Sequence, residues 1–138
     1  MSRDRIPLRY FSFWLVLGWL LIATVVYLSL ASTGLPKLVP QGDKAQHFLA
    51  YLVLTLWFSQ LYRSPVRTLF ALGFVALGVS LEFLQGLTVY RTFSTADMAA
   101  NATGALVGWL LGATALGRVL VWLELWLEKT GSVAPRGG

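Results

Sequence analysis

The chain contains no cysteine, and this absence excludes disulfide bonds, catalytic thiolates and cysteine-ligated metals. Charge is also scarce, because only 12% of the 138 residues are Asp, Glu, Lys or Arg. There is one histidine, His47, so a metal centre with several histidines cannot be assembled within one chain. No Gly-x-Ser-x-Gly elbow, His-Glu-x-x-His zinc helix or phosphate-binding Gly-Lys-Ser/Thr loop occurs. The standard catalytic motifs are therefore missing.

Apolar residues are abundant instead, at 57% of the chain. A soluble domain this short cannot bury that much apolar surface, which indicates that the bilayer is the solvent. The net charge of +5 comes from basic residues scattered between apolar runs, without a patch or stripe. We therefore predict no nucleic-acid partner, and interpret the basic residues as topology signals and contacts to lipid headgroups.

Four apolar runs predict an all-α polytopic membrane protein, a four-helix transmembrane bundle with an outward-facing polar pocket. Each is roughly 20 residues, enough to cross the hydrocarbon core at about 1.5 Å per residue. A cleaved signal peptide competes for the first run, but its apolar length favours a retained span. The fourth span is expected to begin at Asp97, capped by Ser94 or Thr95, and to extend to about Leu116. The predicted spans are residues 10–31, 43–62, 68–87 and 97–116.

The predicted organisation has three parts. A cytoplasmic N-terminal segment covers residues 1–9, the membrane domain covers 10–116, and 117–138 form an amphipathic helix and a disordered cytoplasmic tail. The stretch 118–129 either prolongs the fourth helix or lies in the membrane interface, which tryptophan favours. With a cytoplasmic N-terminus, eight of the eleven basic residues lie inside, and Lys37, Lys44 and Arg91 lie outside. This distribution predicts a multi-pass protein with both termini in the cytoplasm.

The remaining polar residues converge at the outer ends of the second, third and fourth spans. Ionisable groups at membrane depth are costly, so their coincidence at one level indicates a ligand-binding site. Arg91 and Lys44 are candidates for holding a phosphate or carboxylate. Tyr51, one turn deeper than His47, is expected to pack with a satisfied hydroxyl. The predicted ligand-binding residues are Asp43, Lys44, His47, Glu82, Gln85, Arg91, Asp97 and Asn101.

The chemistry at this site stays open. His47, Glu82 and Asp97 are candidates for catalysis, yet His47 could equally be a structural histidine bonded to Glu82 across a helix interface. The carboxylates with His47 could form an oxygen-rich metal site, but neutralisation within ion pairs is the better account of each. We therefore predict no metal and no cofactor.

Small residues recur every four positions on the fourth span and form a ridge suited to close helix contact. The ridge predicts either a homodimer or, as the preferred interpretation, packing inside a four-helix monomer. Its members are Ala100, Gly104, Gly108 and Gly112.

The ordered polar pattern resembles the VanZ-like family of small bacterial membrane proteins. The resemblance covers about the central half of the chain and implies an envelope-related role at the bacterial cytoplasmic membrane, with a link to glycopeptide antibiotic resistance. The expected function is binding of an anionic, lipid-linked cell-envelope component. A membrane hydrolase or transferase acting on a phosphate- or acyl-bearing lipid, and an assembly subunit of a larger membrane complex, are the alternatives. The pattern reads Asp43-Lys44-x-x-His47-x-x-x-Tyr51, Glu82-x-x-Gln85, and Arg91-x-x-Ser94-x-x-Asp97-x-x-x-Asn101-x-x-Gly104.

Overall fold

Helices account for nearly all of the regular structure. The computed structural model describes residues 4–31, 42–88 and 93–131. Within these ranges no strand forms, and a single isolated bridge pairs Arg5 with Tyr62. The predicted all-α class is thereby confirmed. The helices are α1 Phe11–Leu30, α2 Gly42–Ser59, α3 Val66–Gly86, α4 Thr95–Leu111, a 3₁₀ segment Ala115–Arg118 and α5 Val119–Gly131.

Two of these helices, α1 and α3, are long and apolar enough to cross a membrane. Helix α4 qualifies only together with the segment Ala115–Gly131, from which it is bent by 72°. Helix α2 does not qualify by composition, because Asp43, Lys44 and His47 lie in its first two turns. The described helices therefore provide two spans, or three if the bent pair counts as one, rather than a clear four-span bundle.

Large apolar side chains cover the outside of the helices. Tyr27 on α1 is 65% exposed and Leu69 on α3 is 69% exposed, and Phe13, Trp19 and Leu72 are also exposed. A soluble monomer rarely exposes so much contiguous apolar surface, whereas a lipid-facing surface requires it. This surface supports a membrane environment for the bundle.

Helices α2 and α4 form the closest helix pair, and the small residues of α4 make it possible. A methyl group built on Gly104 would overlap the carbonyl oxygen of Phe48, and one on Gly108 would overlap that of Leu52. At Gly112 it would meet the side chain of Ser59. The small-residue ridge thus contacts α2 of the same chain, and Ala100 continues it as a partly buried residue.

Helix α4 ends at Leu111, five residues before the predicted end of the fourth span. Gly112 is its C-cap, and the chain turns back after it, so that Gly117 packs directly on the carbonyl group of Gly112. The Thr114 hydroxyl then accepts a hydrogen bond from the Leu116 amide and caps the 3₁₀ segment. Helix α5 is therefore a separate helix and does not prolong α4. The predicted disorder of the tail concerns residues 132–138, which lie outside the described ranges.

Helix α5 is held against α1 by Glu124. This carboxylate, 6% exposed, accepts hydrogen bonds from the amides of Arg9 (2.7 Å) and Tyr10 (2.9 Å) and from Trp14 Nε1 (2.7 Å). Amide groups at a helix start have no partner within the helix, so Glu124 supplies one from another helix. Gln60 Oε1 similarly accepts from the Leu120 amide at 3.0 Å, which joins α5 to the end of α2.

Candidate functional site

Polar side chains meet where α2 begins, α3 ends and α4 begins. Gly78 on α3 permits this meeting, because a methyl group there would lie 2.9 Å from Asn101 Cβ and 3.2 Å from Tyr51 Cε1. The three helices therefore touch at one level, and the next turn toward the end of the bundle carries further polar residues. We define the polar cluster as His47, Tyr51, Glu82, Asp97 and Asn101.

His47 links α2 to α4. Its Nδ1 lies 3.1 Å from Asn101 Oδ1, a hydrogen bond in the tautomer that carries its hydrogen on Nδ1. Its Nε2 faces Asp97 Oδ2 at 4.0 Å. The side chains of His47 and Asp97 are 12% and 18% exposed, so this pair lies at the rim of the cluster where a ligand or water can reach it.

Glu82 is buried beneath the rim, with 1% of its surface exposed. Its Oε1 accepts a hydrogen bond from the Ser94 amide at 2.6 Å. Ser94 is the N-cap of α4, and its hydroxyl accepts from the Asp97 amide at 3.2 Å. Of the two predicted caps, Ser94 and Thr95, the structure therefore uses Ser94, and α4 begins at Thr95 rather than at Asp97. Glu82 therefore connects the end of α3 to the start of α4 and places Asp97 in the first turn of α4.

Two buried oxygen atoms of the cluster lack a hydrogen-bond partner among the described residues. They are Glu82 Oε2 and the Tyr51 hydroxyl. The prediction that the Tyr51 hydroxyl has a hydrogen-bond partner is therefore wrong among the described residues. Burying a polar atom without a partner costs free energy, which makes such atoms uncommon in folded proteins. Both atoms lie beneath the His47–Asp97 pair.

Other predicted site residues lie apart from the cluster or outside the described residues. Gln85 is buried and its Nε2 donates to the Ser29 carbonyl at 2.7 Å, so it joins α3 to α1 instead of facing a ligand. Lys44 is exposed, about one turn before His47. Asp43 belongs to the first turn of α2, but its side chain, like the whole of Arg91, lies outside the described residues.

The interpretation of His47 as a partner of Glu82 is wrong in the structure. Gly104 lets α2 approach α4 closely, which directs His47 to Asn101 and Asp97, while Glu82 Oε1 is engaged by Ser94. Nor do any three His, Asp or Glu side chains of the described residues lie close enough together to share a metal ion.

Sequence reasoning did not assign a role to Glu124 or Gln60, the residues that hold α5 in place. Glu124 lies between Trp122 and Trp126, in a helix with few other charges. An acid in such an apolar context signals a buried partner, but the identity of that partner depends on the tertiary structure.

Together the helices and the cluster define an α-helical protein with helices long and apolar enough to cross a membrane and a polar cluster at one end. A search of known protein families finds no match to this chain. No solved structure matches it. The chain is 36% identical over 78 residues to a Schizosaccharomyces pombe protein described as "Uncharacterized protein C11E3.10". The matched region covers 53% of this chain and 48% of that relative, so the chain spans about half of the relative's length.

Proposed function

We propose that the chain is a four-span, VanZ-like membrane protein whose polar cluster binds the anionic headgroup of a lipid-linked envelope component. The observation that carries the proposal is the convergence of His47, Glu82, Asp97 and Asn101, from three helices, at one end of an otherwise apolar bundle. Intramembrane polar groups that converge in this way typically mark a ligand site or pathway. The proposed location is the outer face of a bacterial cytoplasmic membrane.

Helix α2 can be a span despite its polar first turns. Its deeper residues Tyr51, Leu54, Thr55 and Phe58 are all buried against protein. A helix shielded by its neighbours does not need a lipid-compatible surface on every side, and its polar start lies at the end of the bundle. With α2 counted, four helices alternate in direction, and both termini are on the same side.

Affinity for an anion is assigned to the cations that lie nearest the cluster residues in the sequence. Lys44 is exposed one turn before His47, and Arg91 precedes the described Phe93 by two residues in the sequence. A guanidinium group can bind a phosphate or carboxylate through two parallel hydrogen bonds.

The test is a lipid-binding assay on the purified full-length protein in nanodiscs, read by native mass spectrometry. The probe is a polyprenyl phosphate, with phosphatidylcholine as the neutral comparison. Arg91→Ala should weaken binding at least tenfold, since a charge-assisted hydrogen bond contributes about 1.5–3 kcal/mol. Arg136→Ala, with the same change in charge but located in the tail, should bind like the unmodified protein. Equal binding by both variants would refute the proposal.

A membrane hydrolase or transferase is the second candidate, and the orientation of His47 favours it. In the tautomer with its hydrogen on Nδ1, bonded to Asn101, His47 presents Nε2 beside Asp97 as a general base. In a hydrolysis, Nε2 would take a proton from water as the water oxygen bonds to the phosphorus or acyl carbon. The bond from that atom to the leaving oxygen would break, and the proton would pass to the leaving oxygen. An enzyme should release product from the phosphate lipid and lose turnover, but not lipid binding, in His47→Gln. A pure binder releases no product.

The resemblance to VanZ-like proteins also predicts a link to glycopeptide resistance. Expressing the chain in a susceptible bacterium should then raise the inhibitory concentration of teicoplanin, and Glu82→Ala should abolish the increase. An unchanged inhibitory concentration would separate the proposed membrane site from any role in resistance.

A further inference from the structure

A second polar site lies at the opposite end of the bundle. A cavity of about 510 Å³ opens between the end of α2, the start of α3 and the bend after α4. His47, in the second turn of α2, and Ser59, its last residue, are twelve residues apart, or about 18 Å along the helix. The cavity is therefore separate from the polar cluster, and we call it the basic cavity. The residues that carry its chemistry are Arg63, Arg67 and Arg118.

The charges of the basic cavity are not balanced within the described structure. No acidic residue is among the described residues that line it. None of its three arginines forms a salt bridge within the described ranges, where the ion pairs are those of Arg9 with Glu128 and His47 with Asp97. Three guanidinium groups around one concave space create a positive potential that favours an anion.

The surroundings of Arg67 are a second observation that points to a ligand in the basic cavity. The Nε atom of Arg67 is buried and has no hydrogen-bond partner among the described residues. Its guanidinium carbon lies 5.3 Å from the centre of the Trp109 ring, so stacking on α4 orients the group. Because Nε is buried, the donors left for a ligand are the two terminal nitrogen atoms of the oriented guanidinium group, whose planar arrangement suits a phosphate. Arg63 and Arg118 are exposed and can close over that ligand from the turn and from the 3₁₀ segment.

Membrane topology alone does not account for this arrangement. The tendency of basic residues to remain in the cytoplasm requires only positive charge near the ends of the spans. It does not require three arginines around one cavity, and it does not require arginine in place of lysine. Basic pockets between helices on the cytoplasmic side are, however, a recurrent way of binding phosphate headgroups.

We propose that the basic cavity binds the phosphate group of an anionic phospholipid of the inner leaflet. Arg67 supplies the oriented, partly buried contact, and Arg63 and Arg118 supply the outer contacts. The cavity lies within the size range of small-ligand sites and opens at the end of the bundle, where a headgroup can enter from the bilayer surface. Its placement on the cytoplasmic side rests on the proposed topology, whereas its affinity for phosphate does not.

The experiment uses the full chain in phosphatidylcholine nanodiscs, which leave both faces accessible. Native mass spectrometry then measures retention of added phosphatidylglycerol. The variants are Arg67→Gln, Arg67→Lys and Arg118→Gln, and Lys129→Gln is the control, because it removes one positive charge from the same side but outside the cavity. Monodispersity and helical circular dichroism establish that each variant is folded, and Arg118→Gln, at an exposed position, tests the site if Arg67 variants misfold.

We expect saturable binding of one phosphatidylglycerol, weakened at least tenfold in Arg67→Gln and Arg118→Gln and unchanged in Lys129→Gln. Arg67→Lys should also bind more weakly, because lysine preserves the charge but lacks the planar pair of donors. If inorganic phosphate at millimolar concentration displaces the lipid, the site recognises phosphate from either source, which supports the proposal. Equal retention in Arg67→Gln, Arg118→Gln and Lys129→Gln, or equal retention of an added neutral lipid, would overturn it. His47→Gln should leave this binding intact, which separates it from the polar cluster.

Discussion

At the scale of single residues, the buried carboxylate of Glu82 is the feature that most needs an explanation. One oxygen holds the start of α4 through the Ser94 amide, and the other has no partner among the described residues. A residue that served stability alone would be expected to have both oxygens bonded, since burying an unpaired polar atom is costly.

Two substitutions of Glu82 separate the contribution of the oxygen bonded to Ser94 from that of the unpaired oxygen. Glu82→Gln retains an oxygen that can accept from Ser94 and should change the free energy of unfolding by less than about 1 kcal/mol. Glu82→Ala leaves the Ser94 amide without its acceptor and should cost about 1–3 kcal/mol. The free energies of unfolding of both variants are measured in mixed micelles that contain a denaturing detergent. Glu128→Ala, at an exposed position, is the control and should lie within about 0.5 kcal/mol of the unmodified protein. Equal stability of Glu82→Ala and Glu82→Gln would show that the Ser94 contact contributes little.

At the scale of helices, the contact between α2 and α4 decides the arrangement of the polar cluster. Gly104, Gly108 and Gly112 bring the two backbones together, and His47 reaches Asn101 as a result. Helix α5 is organised differently, because single polar contacts from Glu124 and Gln60 hold it on α1 and α2. These two kinds of contact lead to different predictions.

Gly108→Ala should destabilise the protein, because the added methyl group would overlap the Leu52 carbonyl. Overpacking of this kind typically costs about 1–3 kcal/mol. Gly73→Ala is the matched control, since a methyl group at Gly73 has no atom within 4 Å. The control should be as stable as the unmodified protein or slightly more stable, because alanine favours helix. Thermal unfolding in the same detergent measures both variants, and a Gly108→Ala variant as stable as Gly73→Ala would contradict the described packing.

The contact between α5 and α1 should weaken in acid. Burial raises the pKa of Glu124, but hydrogen bonds from the Tyr10 amide, Trp14 Nε1 and the Arg9 amide, together with the Arg9 charge, outweigh burial and hold the pKa below its ordinary value of 4.5. A lowered folded-state pKa stabilises the protein above the unfolded-state value, and this stabilisation is lost as pH falls through the folded-state pKa.

Tryptophan fluorescence and unfolding between pH 7 and pH 3 follow this loss. The unmodified protein should lose stability at the acid end, whereas Glu124→Gln should start less stable at pH 7 and lose less of its stability on acidification. Glu128→Gln removes only an exposed pair with Arg9 and should behave like the unmodified protein. Parallel pH profiles for the unmodified protein and Glu124→Gln would show that another group controls the acid response.

At the scale of the whole molecule, the two ends of the bundle differ in charge. The end with the polar cluster carries Glu82 and Asp97, and the opposite end carries Arg63, Arg67 and Arg118. The membrane potential and the positive-inside tendency both act on this asymmetry. The proposed orientation therefore follows from the distribution of charge over the folded bundle as well as along the chain.

The absence of native cysteine allows a direct test of topology. Ser64→Cys in the exposed turn between α2 and α3 should react with a membrane-impermeant maleimide only from the cytoplasmic side. Thr95→Cys at the exposed start of α4 should react only from the outside. The unmodified protein, which has no thiol, is the background control. Labelling of both positions from one side would show that α3 does not cross the membrane and would remove the proposed separation of the two sites.

Much of the site's location could be predicted from the sequence, because spans of about 20 residues necessarily place their ends at two levels. His47, Glu82, Asp97 and Asn101 were predicted to lie at one level, and they do so in the structure. The pairings could not be predicted, since Glu82, Asn101 and Asp97 were all within plausible reach of His47. The sequence also does not predict that α4 ends before Gly112. Glycine is common in membrane helices, and only its contact with Gly117 shows that the helix ends there.

The sequence by itself determined the helical class, the apolar character of α1 and α3, a cap at Ser94 or Thr95 and the level of the polar residues. Each of these depends on composition or on spacing along one helix. The tertiary structure alone decided that His47 pairs with Asn101, that Glu124 holds α1, and that three arginines surround one cavity. These contacts join residues far apart in the chain, and they depend on how closely two helix backbones approach, which no local pattern specifies.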